Sequence, residues 1–291
     1  MLRLVVPKGS LEQGTFRLFE DADLGISRGS DIEYRASIDD PRVADVRILR
    51  PQEIPRYVAD GLFDVGVTGR DWVEETGVDV VTLTELQYSK SSAQPIRIVL
   101  AVAADSPWTS VDDLPSGVRI HTEYTELTRR YFEKHGVDAE VTLSYGATEA
   151  KVPEIADAVV ELTETGRALR AAGLKIIDTI LVSSTELIAN PEAYADPERR
   201  KAMEQIQTLL NGALEARGRV LVKLNVEEDR LDGVIALLPA LRSPTVSKLA
   251  GSGAYALEAV VAKSEINTLI PALKDHGATG IIELPIAKIV H

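Results

Sequence analysis

Short apolar runs alternate with amphipathic segments along most of the chain, the pattern of buried strands joined by helices. Leu2 to Val6 reads as a buried strand, followed by the polar turn Pro7-Lys8-Gly9-Ser10 and an amphipathic segment through Leu11, Phe16, Leu18 and Phe19. The stretch from Ser27 to Pro41 is polar and charged. Asp45-Val46-Arg47-Ile48-Leu49-Arg50 then resumes as a strand, and Pro51 to Gly61 predicts a helix with Pro near its start and Gly at its end. Phe63-Asp64-Val65-Gly66-Val67-Thr68-Gly69-Arg70-Asp71 follows as acid, apolar strand, Thr-Gly-Arg turn and helix start. The same order returns later. Ala158 to Val160 is a β-branched apolar run, Thr163-Glu164-Thr165-Gly166 is a loop of small polar residues, and Arg167 to Gly173 predicts a helix ending on glycine. We read these as matching turns in two similar α/β lobes.

Two further runs decide how the lobes connect. Ile96 to Val102 follows the turn-like Ser91-Ser92-Ala93-Gln94-Pro95, and Ile176 to Val182 follows the second helix. If both cross between lobes, lobe I is discontinuous, spanning 1–95 and 184–216 and regaining a helix between Asp196 and Ala216, while lobe II spans 96–183. This predicts a two-lobed, periplasmic-binding-protein-like α/β core with a cleft at the hinge. In lobe II, Val118 to Tyr124 reads as a strand running into a polar end before a helix at Thr128 to Phe132. Residues 217–291 read as strand, helix, strand, strand, helix, strand: 220–226, 229–238, 244–249, 255–262, the helical face Ile266, Leu269, Ile270, Leu273, and 280–284. That is the ferredoxin-like α+β order. Lacking a phosphate turn, this module is expected to regulate or oligomerise.

Composition narrows the chemistry. The 291 residues, 45% hydrophobic, suffice for about two or three domains with real cores. No apolar run approaches the roughly 18 residues of a membrane span, and Met1 to Pro7 lacks signal-peptide features, so no membrane partner and a cytoplasmic location are expected. The absence of cysteine excludes disulfides, thiolate zinc sites and a cysteine nucleophile. His121, His135, His276 and His291 are scattered without ligand spacing, and His121 is taken as structural. Any metal is therefore expected to be oxygen-bound, most simply Mg²⁺ arriving with a substrate. A formal charge of −13 and a pI near 4.9 argue against nucleic acid as a partner, so phosphates must be bound by local features.

Such features are present. A helix N-terminus leaves N–H groups unpaired at the positive end of the macrodipole, so Thr163-Glu164-Thr165-Gly166 can wrap a phosphate, with Gly166 permitting close approach and Thr163 and Thr165 adding hydroxyls. Asp157 and Glu161, four residues apart at either end of the strand, share a face, and a carboxylate beside a phosphate loop suits vicinal ribose hydroxyls. The competing reading is an ordinary β-to-α turn with Thr165 as its N-cap. Lys8 sits in a turn where it meets a phosphate or remains a solvated lysine. Arg50 falls at a strand end before a helix, where ligands bind in open α/β sheets. Tyr124 offers a ring to stack on a base, against the default of a half-buried tyrosine. Glu149 lies at a turn entering the loop stretch, as a cleft residue or a helix-start carboxylate.

Three stretches resemble one family. Leu49 to Val58 running through Asp64-Val65-Gly66-Val67-Thr68-Gly69-Arg70-Asp71, the loop stretch 155–170, and Leu241-Arg242-Ser243-Pro244-Thr245 are similar to ATP phosphoribosyltransferase, the first enzyme of histidine biosynthesis, in its long form. The resemblance covers essentially the whole chain. It implies transfer of phosphoribosyl from phosphoribosyl pyrophosphate to N1 of ATP with Mg²⁺, inhibition by L-histidine at the C-terminal domain, and a homohexamer built from dimers. By this resemblance Thr163, Glu164, Thr165, Gly166 and Arg167 hold the 5-phosphate, Glu161 holds the ribose hydroxyls, and Glu149 lies near the metal or nucleotide. Lys8, Arg50 and the turn Thr68, Gly69, Arg70, Asp71 face the pyrophosphate or the ATP phosphates, and Asn225, Thr245, Val260 and Gly280 line the histidine site. Two departures stand out: Glu161 where many members have Asp, and Ala168 where many have Thr. They are the support for the alternative, a non-catalytic regulatory subunit of the same family; a two-lobed ligand-binding protein is the alternative from another class.

Overall fold

The computed structural model describes residues 1–87, 96–239 and 243–291. The turn expected at Ser91 to Pro95, and Leu241 and Arg242 of the third stretch, lie outside the described residues. The chain forms two compact units, residues 1–20 with 24–207 and residues 21–23 with 208–291.

The first unit runs β1 (Leu2–Pro7), α1 (Glu12–Asp21), β2 (Ile26–Ser27), β3 (Arg35–Ile38), β4 (Val43–Leu49), α2 (Ile54–Ala59), β5 (Val65–Gly69), α3 (Arg70–Thr76) and β6 (Val81–Glu85). It continues with β7 (Ile96–Ala103), β8 (Val118–Thr122), α4 (Thr125–His135), β9 (Ala139–Leu143), β10 (Ala158–Thr163), α5 (Arg167–Ala171) and β11 (Leu174–Ser183). It closes with β12 (Thr185–Ala189), α6 (Pro191–Ala195) and α7 (Pro197–Ala216), and the division between units falls inside α7. One sheet has the order β2-β3-β4-β1-β5-β12-β6 and the other β11-β7-β10-β8-β9. The chain thus leaves the first sheet after Glu85, builds the second from 96–183, and returns with β12 between β5 and β6. This is the two-lobed α/β architecture that the strand-turn-helix repeats predict. The polar stretch after Ser27 carries a strand pair that its composition conceals: Ile26 and Ser27 pair with Ile38 and Ser37.

Central strands are buried on both faces, as their unbroken apolar runs require. Ile98, Leu100, Val102, Ala158 and Val160 pack in one core of the second sheet, and Val99, Ala101 and Val159 in the opposite one. Each alternate residue enters a different core because successive side chains point to opposite faces. In the first sheet Val5, Ile54, Val58 and Ile188 form a core under α2. Gly66 lets α2 settle there: a Cβ at that position would lie 2.8 Å from Val58 and 2.9 Å from Val5. Asn190 ties the returning strand to the same helix, accepting the Ala193 N–H at 2.8 Å as N-cap of α6 while its amide donates to the Val58 carbonyl at 3.0 Å.

The second unit contains β13 (Arg219–Glu227), α8 (Leu231–Leu237), β14 (Thr245–Lys248), β15 (Ala254–Ala262), α9 (Ile266–Asp275) and β16 (Thr279–Pro285). Its antiparallel sheet has the order β14-β15-β13-β16, the ferredoxin-like topology. Val220, Val222, Leu224, Val226, Leu257, Ala259 and Val261 share a core with Val234, Ile266, Leu269 and Leu273 of the two helices. The first helix starts later than its sequence suggests, because residues 228–230 form a 3₁₀ turn. Among the described residues no helix is long and apolar enough to cross a membrane.

Candidate active site

β4, β1 and β5 are parallel neighbours, with Pro7 opposite Leu49 and Val5 opposite Gly66. The residues after their ends, Lys8, Arg50 and Arg70, therefore emerge side by side at one sheet edge, on strands about 4.8 Å apart. The Lys8 N–H donates to the Leu49 carbonyl at 2.7 Å, and its ammonium lies 4.2 Å from the centre of the Tyr34 ring. Arg50 is exposed. Arg70, also exposed, donates its backbone N–H to Ser184 at 2.8 Å and keeps its guanidinium 3.9 Å from Glu74.

β8, β9 and β10 are likewise parallel and end at a common edge, in Glu123, Ser144 and Thr163. Ser183 closes β11 at this edge, and Thr185, two residues on, opens β12 opposite Gly69. The crossover thus joins the basic edge of one sheet to the edge of the other that carries Glu123, Ser144 and Thr163.

At that second edge, Thr163 Oγ1 accepts the Gly166 N–H at 2.9 Å, and the Arg170 guanidinium donates to the Thr165 carbonyl at 3.0 Å. Gly166 adopts φ +69°, which bends the chain into α5 and leaves Glu164 and Thr165 exposed on the loop and Arg167 and Ala168 exposed at the start of the helix. Glu161 is half-buried, and burial pushes its carboxyl above the usual range. The charges of Glu123 and Glu149 push the same way, while the Leu162 N–H and the Thr148 hydroxyl oppose the shift. Among the described residues no group of three or more His, Asp or Glu side chains is arranged to hold a metal ion. The carboxylates and hydroxyls of this edge are oxygen donors only, which fits a Mg²⁺ that brings most of its ligands as phosphate oxygens and water.

The structure corrects several sequence expectations. Asp157 shares a face with Glu161 but sits at the other end of β10, about 13 Å away by strand rise. There its carboxylate is held by Arg119, through the guanidinium at 2.7 and 3.1 Å and the N–H at 2.9 Å, so it is not part of the ribose site. In the turn 68–71 only Arg70 is exposed. Thr68 donates its hydroxyl to the Pro51 carbonyl at 2.8 Å. Gly69 is buried, and a Cβ there would meet Asp71 Oδ1 at 2.1 Å. Asp71 is buried and accepts from the Ser183 hydroxyl at 2.7 Å and the Tyr124 hydroxyl at 2.9 Å. Tyr124, 3% exposed and packed on Trp72 with ring centres 4.7 Å apart, has no face free for a base. Thr163 is buried, its hydroxyl engaged within the loop.

In the second unit Asn225, Thr245, Val260 and Gly280 lie on the sheet face opposite the two helices. Thr245 pairs with Glu258, Asn225 with Ala256 and Thr279, and Leu221 with Val260. A Cβ on Gly280 would lie 3.3 Å from the Asn225 amide. The Lys223–Glu258 ion pair, 2.7 Å, occupies the row between Asn225 and Val260.

Sequence reading missed Glu75, whose carboxylate accepts the N–H groups of Glu126 at 3.0 Å and Leu127 at 2.8 Å. It also missed Glu123, Ser144, Thr148 and Ser183. Glu123 carried a usable signal, a carboxylate at the polar end of the strand read over Val118 to Tyr124.

Two family models match consecutive parts of the chain: one described as ATP phosphoribosyltransferase over residues 50–212, the other as the HisG C-terminal domain over 216–288. An ATP phosphoribosyltransferase of Nitratidesulfovibrio vulgaris (strain Miyazaki F) is 50% identical over 100% of this chain and 98% of its own. One from Pelotomaculum thermopropionicum is 47% identical over 99% of both chains. Among solved structures, an ATP phosphoribosyl transferase (HisG:HisZ) complex from Thermotoga maritima is similar with TM-score 0.61 and 27% identity, over 72% of this chain and 98% of that one.

Proposed function

The chain belongs to the ATP phosphoribosyltransferase family in its long form, and we propose that it transfers phosphoribosyl from phosphoribosyl pyrophosphate to N1 of the adenine of ATP, opening histidine biosynthesis. The observation that carries the site assignment is the pairing of opposite edges. Lys8, Arg50 and Arg70 stand on one, and Glu161 with the Thr163–Gly166 loop on the other, joined by the crossover at 183–185.

In this reading the loop and helix start, with Glu164, Thr165 and Arg167 exposed there, receive the 5-phosphate, and the Glu161 carboxylate accepts from the ribose hydroxyls. The cationic edge receives the polyphosphates. Adenine N1 already offers a lone pair, so attack on the anomeric carbon needs no side chain to remove a proton first. Catalysis then rests on aligning the two reactants and on stabilising departing pyrophosphate with Arg50 and its neighbours. Mg²⁺, held by substrate oxygens and by Glu149, would add neutralisation of the pyrophosphate. L-histidine is the proposed inhibitor, taken up on the sheet face of Asn225, Thr245, Val260 and Gly280, and the proposed assembly is a homohexamer of dimers.

The test is pyrophosphate release from phosphoribosyl pyrophosphate, ATP and Mg²⁺, with and without millimolar L-histidine. Release suppressed by histidine is expected. Binding of both substrates without release would sink the catalytic reading, and release indifferent to histidine the regulatory one.

A further inference from the structure

We propose that Tyr145 is the purine-stacking residue of the site, the ring against which the adenine of the nucleotide substrate rests; this builds on the assignment of Glu161 to the ribose. Tyr145 follows β9 at the same strand-end edge as Glu123 and Thr163, and it is 91% exposed. Such exposure of a ring sacrifices the large apolar area that tyrosines normally cover. Beside it Leu143 is 46% exposed, which widens the apolar surface at this edge.

The segment that carries the ring is anchored. The Ser144 N–H donates to the Thr122 carbonyl at 2.8 Å, Ser144 Oγ lies 2.8 Å from Thr148 Oγ1, and Lys151 Nζ donates to Ser144 Oγ at 2.5 Å. The Thr148 hydroxyl stands close enough to Glu161 to oppose the upward shift of its carboxyl. Tyr145 is therefore the neighbour of a serine that is hydrogen-bonded to Thr148, the residue beside the acid assigned to the ribose. Of the two reactants only the nucleotide has an aromatic face, and a base stacks on any exposed ring without regard to its hydrogen-bonding edge. The adjacent strand end offers no rival: Tyr124 is closed off by Asp71 and Trp72.

Three variants test this, and the exposure of Tyr145 leaves the fold unaffected by each. Y145A raises the KM for ATP about tenfold with the KM for phosphoribosyl pyrophosphate within twofold, the loss expected for a stacked base. Y145F, which keeps the ring, restores most of the ATP affinity. Y145W, titrated without turnover, loses fluorescence on adding ATP and not on adding phosphoribosyl pyrophosphate. A KM for ATP within twofold of wild type in Y145A overturns the proposal. So does a change of oligomeric state in Y145A with the ATP response intact, which would make the ring a subunit contact. Absence of turnover in the wild-type protein would instead sink the proposed reaction, and the Y145W titration still decides the stacking on its own.

Discussion

The carboxylate of Glu75 accepts the backbone N–H of Leu127 at 2.8 Å, so a side chain on α3 caps the first turn of α4. The helix has no cap of its own, since Tyr124 at the N-cap position makes no side-chain bond to it. Glu75→Ala is expected to cost about 1 kcal/mol and to lower the melting temperature by about 2–4 °C. Calorimetry on the purified variant checks this; an unchanged melting temperature would mean that water replaces the cap at no cost.

Arg50 stands exposed directly after β4, on the cationic edge beside Lys8 and just before the turn that opens α2. Arg50→Ala is expected to lower turnover more than tenfold, over about 1.4 kcal/mol in the barrier. Steady-state rates matching wild type would remove Arg50 from the reaction.

Glu161 links pH to both stability and activity. Burial raises its carboxyl, so the folded chain holds that proton more tightly than the unfolded chain does. The stabilisation from protonation is fully present below the ordinary glutamate range and is lost as pH rises through the raised value. At neutral pH the ionised group is a cost, and Glu161→Gln is expected to melt higher than wild type at pH 7, with the difference vanishing in acid. The same variant is expected to lose at least about tenfold in turnover. A lower melting temperature at pH 7 would contradict the assignment of the burial effect.

On the second unit's open sheet face, Asn225 and Gly280 are near neighbours. Asn225→Ala is expected to raise the L-histidine concentration for half-inhibition at least about tenfold, or about 1.4 kcal/mol, without altering uninhibited turnover. Overlapping inhibition curves for variant and wild type would move the histidine site elsewhere.

The alternation of apolar runs and polar turns made the two lobes and the ferredoxin-like module legible, because strand burial and helix amphipathicity are local patterns. The turns were only half legible. Thr68-Gly69-Arg70 and Thr165-Gly166-Arg167 look alike in sequence, but Gly69 is extended, φ −82°, where Gly166 takes φ +69°. The first glycine makes room for Asp71, whose partners Tyr124 and Ser183 lie 53 and 112 residues further along. No local reading reveals that such distant hydroxyls fill the turn. Asp157 shows the same limit: the strand pattern gives its face and its end of the strand, but not that Arg119, 38 residues earlier, takes its carboxylate.

The return of β12 also dictates an order of events during synthesis. The sheet begun by β1 and β5 cannot be completed until residues 185–189 arrive, because β12 lies between β5 and β6 and pairs with both. At roughly 5–20 residues per second, the ribosome needs roughly 5–20 s to move from Glu85 to Thr185. During that interval β5 presents an open edge while β7, β8, β9 and β10 of the second sheet can already pair, with β11 arriving last. The inserted lobe is thus nearly complete before the sheet that began first can be closed by β12.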